Sequence, residues 1–202
     1  MANIKTERTV LVDSDGVLAD FDRRVITTMQ SDFPEIPVLQ TRQNHIIAND
    51  YPSHKELVDS ISRKAGFFAT LPLIEGAVEG WKRIMELGYE PRVCTGLLAE
   101  NPTIREDKRR WLEEHFVPEF GYGVVDRLVI TSKKHVETGV ALIDDNPEVK
   151  TFGVAAWQQI VFDKPYNQHS LLPRLHGWSD ISLGQLLHDS REIHLRSHAS
   201  LY

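Results

Sequence analysis

The sequence predicts an α/β protein in which a mostly parallel sheet is flanked by helices, and three observations carry that reading. Short β-branched apolar runs recur along the chain, stretches with helical spacing lie between them, and polar residues cluster just past the ends of the runs. Strands that alternate with helices imply βαβ units, because a parallel neighbour is reached only by a crossover.

Residues 9–12 (Thr-Val-Leu-Val) form the first run, as expected for a strand covered on both faces. Further strand-like runs occupy 91–94, 128–130, 140–143 and 159–162. Helical spacing marks 76–87, with Val78, Trp81, Ile84 and Met85 on one side, and 103–116, with Ile104, Trp111, Leu112 and His115. Residues 20–70 interrupt the rhythm. No second strand follows the first, and helical pieces are broken around Phe33-Pro34, Ile36-Pro37 and Tyr51-Pro52. This segment reads as an inserted helical cap over the sheet edge, which leaves 1–19 and 71–202 as the α/β core. Past Phe162, residues 163–169 read as a polar loop and 181–195 as a closing helix.

A chain of 202 residues with 41% hydrophobic content can bury one core that carries an insertion. Its formal charge of −6 argues against a surface that coats a nucleic acid polymer, so any nucleotide partner is expected to be small and locally held. The single cysteine, Cys94, cannot form an internal disulfide, and no Cys/His cluster has zinc spacing. Residues 1–8 are polar, without the apolar core of a signal peptide, and no apolar run approaches a membrane span. The expected location is therefore cytoplasmic, with no membrane partner.

The chemistry concentrates at strand ends. Asp13-Ser-Asp15-Gly16 follows the first run and sets two carboxylates one residue apart where the chain begins to turn. A compact anionic pocket at the carboxyl edge of an open sheet suits magnesium, which prefers oxygen ligands and takes only one or two carboxylates. The same four residues also suit an ordinary Asp-Gly turn, and alone they leave both readings open. Thr95-Gly96 ends the second run, where a hydroxyl and backbone N–H groups suit a phosphate oxygen, although a capping threonine has the same appearance. Lys134 follows the third run, as one of a charged pair with Lys133 of which only one needs to face inward. Asp144-Asp145 ends the fourth, where adjacent buried carboxylates are costly unless a cation or hydrogen bonds balance them.

Carboxylates, hydroxyl, lysine and paired carboxylates in this order resemble the haloacid dehalogenase superfamily of phosphohydrolases. Asp13-Ser-Asp-Gly-Val-Leu-Ala-Asp-Phe21 is similar to the opening of the 5'(3')-deoxyribonucleotidases within it. Gly66-Phe-Phe68, Gly76-Ala-Val78, Val93-Cys-Thr95, 111–116, 142–147, Asn167-Gln-His169 and Leu175-His-x-Trp178 are also similar to that family, as is the ten-residue spacing between Lys134 and Asp144. The likeness spans most of the chain and is weakest in the cap.

The resemblance implies a Rossmann-like core and a magnesium-dependent phosphatase that hydrolyses nucleoside 5'-monophosphates, deoxyribonucleotides among them, through an aspartyl-phosphate. A small non-nucleotide phosphate metabolite is the alternative substrate, and a catalytically silent binding protein is disfavoured because Asp13, Asp15, Lys134 and Asp144 are all present. Asp13 would be the nucleophile and Asp15 the acid and base. Thr95, Gly96 and Lys134 would hold the phosphate, and Mg2+ would sit on Asp13, Asp15 through its backbone carbonyl, Asp144 and Asp145. Phe21, His45 and Ile46 would line the substrate pocket, where His45 and Ile46 stand near positions at which relatives carry aromatics. Gly96 and Asn146 likewise depart from the Ser and Arg usual in the family. His169 and His176 read as structural, Trp81 and Trp111 as core. The resemblance also implies a homodimer, for which the sequence carries no interface signature.

Overall fold

A computed structural model describes residues 6–151 and 155–199. Residues 1–5 of the polar N-terminal stretch lie outside them. The strands are β1 (Thr9–Val12), β2 (Glu90–Thr95), β3 (Val129–Ile130), β4 (Ala141–Asp144), β5 (Gln158–Phe162) and β6 (Arg174–Leu175). They form one six-stranded sheet in the order β3-β2-β1-β4-β5-β6, and every pairing is parallel. Strand ends differ from the sequence reading by a residue or so, and β6 was not expected. It is only two residues long and follows Pro173, too little for a periodic signal.

Successive residues of a strand face opposite sides. Val10, Val12, Ala141 and Ile143 accordingly enter the main core, and Leu11 and Leu142 join Cys94 and Trp157 in a smaller cluster. Two strands buried on both faces explain why β1 and β4 read as unbroken apolar runs.

Between β1 and residue 76 no further strand intervenes, and the regular elements are helical: α1 (Phe21–Asp32), short 3-10 turns at Ile47–Asp50 and Pro52–His54, α2 (Lys55–Arg63), and another such turn at Phe68–Thr70, with irregular chain over 33–46. Asp20 caps α1 by accepting the Arg23 N–H at 3.0 Å, and Phe33-Pro34 ends it. Polar bonds join residues 62–71 to the chain past β2. Asn101 donates to the carbonyls of Ser62 and Lys64, both at 2.8 Å, and the Trp111 indole donates to Leu71 at 2.7 Å.

Helix α3 (Ala77–Glu86) buries Ala77, Gly80, Trp81 and Ile84 at helical spacing. Gly80 is required by space, since a Cβ there would come within 2.2 Å of the Trp178 ring. That indole in turn donates to the Val17 carbonyl at 2.8 Å and so supports the turn after β1. Helix α4 (Ile104–His115) buries Ile104, Trp111 and Leu112, but also Asp107 and Lys108. Short helices α5 (Val117–Phe120) and α6 (Gly123–Asp126) lead to β3, and α7 (Leu183–Ala199) closes the chain. Trp81, Trp111 and Cys94 are core residues, as expected. No helix among the described residues is long and apolar enough to cross a membrane.

Candidate active site

The order of strands decides where the polar residues meet. From β1 the chain proceeds outward to β2 and β3, then returns to β4 on the other side of β1. The carboxyl ends of β1 and β4 thus lie side by side at the point where the winding reverses, which is where open α/β sheets bind ligands. The Asp13 N–H donates to Ile143 across that seam at 2.9 Å.

Asp13, Asp144 and Asp145 are all buried, and each offers a carboxylate oxygen within 4.8 Å of the others. One cation lies between them: Lys134 Nζ is 2.9 Å from Asp13 Oδ1 and 2.7 Å from Asp144 Oδ2. Burial disfavours the Lys134 ammonium, yet Asp13 and Asp144 more than compensate and raise its pKa. Burial also raises Asp144 despite Lys134. Asp145 is raised well above the usual carboxylate range, first by burial and then by the charges of Asp144 and Asp13. Three carboxylates against one ammonium leave negative charge in a desolvated place, and the oxygen-only donor set suits a hard divalent cation. Lys133 is exposed.

The second carboxylate of the Asp-Ser-Asp motif is turned away from this cluster. Asp15 Oδ2 accepts from Lys108 Nζ at 2.7 Å, and the same ammonium donates to Thr95 Oγ1 at 2.5 Å. Asp15 Oδ1 is sealed from solvent without a hydrogen-bond partner, although 26% of the side chain as a whole is exposed. Burial is the main cause of its raised pKa, opposed by Lys108 and reinforced by Asp13. The turn that separates the two carboxylates depends on Gly16. Its φ is +81°, and a Cβ there would lie 2.1 Å from Asp145 Oδ2. Ser14 and Gly16 close the turn through bonds between the Ser14 carbonyl and Leu18 N–H, and between Gly16 N–H and the Ala19 carbonyl, both at 2.8 Å.

Thr95 is fully buried at the end of β2, while Gly96 has open space where a Cβ would project. Phe21 packs edge-on against Phe67 at 5.4 Å and lies 6.2 Å from Phe68. His45 stacks on Tyr166 at 5.7 Å with 11° between the rings. Burial and then Arg42 lower its pKa, and Asp13 and Lys134 are both near enough to influence it. Ile46, by contrast, is 57% exposed. His169 is exposed, and His176 is exposed with a 3.8 Å approach to Asp163.

Sequence reasoning missed Lys108, Tyr166 and Arg42. Lys108 carried a readable signal: it falls on the apolar stripe of Ile104, Trp111 and Leu112, where a lysine is out of place without a partner. Tyr166 lies in the loop past β5, on the 3-10 turn Pro165–Asn167, and donates its hydroxyl to Asp145. The neighbouring Asn167, fully buried, donates to the carbonyls of Asp145 and Phe162. Nothing local in the sequence marked Tyr166.

Residues 7–189 match the family described as 5' nucleotidase, deoxy (pyrimidine), cytosolic type C protein. The human cytosolic-type 5'(3')-deoxyribonucleotidase is 34% identical over 183 residues, covering 85% of this chain and 89% of that protein. The solved haloacid dehalogenase-like hydrolase from Xanthomonas campestris superposes with a TM-score of 0.54 at 13% identity, covering 94% of this chain and 98% of that one. A Bacillus subtilis hydrolase of the same superfamily, solved with magnesium, gives 0.51 at 13% identity, covering 87% and 96%. The sheet order, the paired aspartates at the β1–β4 seam and these likenesses agree: the chain belongs to the 5'-nucleotidase family of haloacid dehalogenase-fold phosphoric monoester hydrolases.

Proposed function

We propose that the protein is a magnesium-dependent phosphatase acting on nucleoside 5'-monophosphates, deoxyribonucleotides included, through an aspartyl-phosphate on Asp13. The observation that carries this reading is the division of labour inside Asp13-Ser-Asp15. One carboxylate belongs to the cluster with Lys134, and the other is held apart by Lys108 with its pKa raised. Its relatives are named 5'(3')-deoxyribonucleotidases, which supports the substrate class.

Asp13 attacks phosphorus with a carboxylate oxygen while the ester bond to the 5' oxygen breaks, and Asp15 gives its proton to the leaving alkoxide. Asp15, now ionised, takes a proton from water as that water attacks the acyl phosphate, which returns Asp13 and releases inorganic phosphate. A raised carboxyl pKa suits a group that must first be an acid and then a base. Thr95, the Gly96 N–H, Lys134 and Lys108 supply donors and positive charge for the phosphoryl oxygens. Asp13, Asp144, Asp145 and the Asp15 backbone carbonyl would hold the magnesium, which when bound offsets repulsion between an anionic nucleophile and an anionic substrate. Residues 20–70 serve as the cap, closing over the leaving group and excluding water.

A second reading, a small non-nucleotide phosphate ester, draws on the pocket residues, since His45 stacks on Tyr166 and Ile46 is exposed. One assay separates the two: phosphate release from a panel of ribo- and deoxyribonucleoside monophosphates and small sugar phosphates, with and without magnesium. Magnesium-dependent release from nucleotides is expected. Release from none of them would sink the nucleotidase reading, and faster turnover of a sugar phosphate would favour the second.

A further inference from the structure

The reaction as written leaves Tyr166 and Arg42 without a task, yet together they connect the inserted segment to the carboxylate cluster. Tyr166 is 3% exposed and its hydroxyl donates to Asp145 Oδ2. On its other side that oxygen faces Gly16, where even a methyl group would collide at 2.1 Å. Asp145 is therefore pinned between a backbone and a hydroxyl, and moving the hydroxyl frees the carboxylate to rotate.

Two residues of the 41–50 segment, Arg42 and His45, lie against the Tyr166 ring. The Arg42 guanidinium carbon lies 4.2 Å from the ring centroid, and the His45 ring stacks on it. Arg42 is itself buried and its two terminal nitrogens are engaged: it pairs with Asp22 of α1 and donates to the carbonyls of Asn44 at 2.8 Å and of His45, while its Nε, 3.9 Å from Asp50, has no hydrogen-bond partner. A single guanidinium thus holds α1 and the His45 loop against the aromatic ring that orients Asp145. A cation–π contact is strongest in a desolvated place, so this one biases the seating of the loop.

We propose that Tyr166 is a positioning residue that couples the seating of residues 41–50 to the cation affinity of the Asp13–Asp144–Asp145 cluster. The inference rests on the metal reading above. Outer hydrogen-bond partners of metal ligands govern their orientation, and coupling between two sites acts equally in both directions. Seating the loop tightens cation binding, and the cation in turn holds the loop down.

Calorimetric titration with magnesium alone, without substrate, tests this in the wild type, Tyr166→Phe, Arg42→Met and His45→Ala, each checked for folding by circular dichroism. Tyr166→Phe is expected to weaken magnesium binding about tenfold. Arg42→Met and His45→Ala touch none of the three carboxylates but are expected to weaken it about fivefold. Magnesium should also slow tryptic cleavage at Arg42 in the wild type and not in Tyr166→Phe. A wild type that binds magnesium while Arg42→Met and His45→Ala bind it equally well would overturn the coupling and leave the metal reading intact. Failure of the wild type to bind magnesium would overturn both.

Discussion

Replacing Lys108 by Met removes a charge, whose Nζ lies over the Phe68 ring 5.1 Å from its centroid, while retaining most of the aliphatic stem. The ammonium is 2.7 Å from Asp15 Oδ2, and its side chain is 3% exposed against 26% for Asp15. At that separation and an effective dielectric near 20 the gross attraction is about 6 kcal/mol, most of it spent on desolvating the pair. Deleting one partner strands the other, so a net loss of about 3 kcal/mol is expected at pH 7, at the low end for buried pairs because Asp15 keeps some solvent. In a chain of this size that corresponds to a melting temperature lower by about 6–12 °C. The pH dependence has a definite sign. Asp15 already has a raised pKa, and losing Lys108 raises it further. A carboxyl whose folded pKa exceeds its unfolded one costs stability as pH rises through the folded value, and costs nothing where it is protonated in both states. The deficit of Lys108→Met should therefore be larger at pH 7 than at pH 4, and the acid form of Asp15 should persist to higher pH in the kinetic profile. Thermal denaturation of both proteins across that range is the assay. An equal deficit at both ends, or none at pH 7, refutes the claim that Lys108 stabilises ionised Asp15.

Asp13→Asn should abolish phosphate release, measured colorimetrically, because an amide cannot form the acyl phosphate; unchanged hydrolysis removes Asp13 as nucleophile. Gly16→Ala forces a side chain onto a residue at φ +81° and against Asp145, so a loss of about 1–3 kcal/mol by chemical denaturation and failure to bind magnesium by calorimetry are expected. Magnesium at about a hundredfold excess over its Kd should stabilise the fold by roughly 2.7 kcal/mol at pH 7. The gain should be smaller at pH 5, because the raised Asp145 and Asp144 carboxyls must first lose protons; differential scanning calorimetry reads the difference. Cys94 is buried and its thiol is pushed up to about 12, chiefly by burial. Iodoacetamide should therefore label it only as fast as the protein unfolds, followed by mass spectrometry.

Much of this molecule was legible before any coordinate. Strands β1 and β4 announce themselves because they are covered on both faces, so Val10–Val12 and Ala141–Ile143 are unbroken apolar runs. Helices α3 and α4 announce themselves because each buries one stripe. Asp13, Thr95 and Asp144 were readable for a related reason, since a polar residue at the end of a buried strand needs a task, whereas Lys134, four residues past β3, was readable only from the order in which the four recur. Strand β6 was hidden by its length, and its edge position needs little hydrophobicity.

The chain by itself determined the class of fold, the family and the inventory of chemical groups, because burial periodicity and residue type are local properties. Which carboxylate faces which cation was decided only in three dimensions. Asp13 and Asp15 are one residue apart, yet they are served by lysines 121 and 93 positions along the chain respectively.. Tyr166 reaches Asp145 across 21 residues and Arg42 reaches Tyr166 from the stretch between α1 and α2, so neither contact has a period, a motif or a spacing that a sequence could display. Such pairings follow from the reversal of strand order beside β1 and from the packing of the chain between α1 and α2, which bring remote backbones together and leave electrostatics to select the partners.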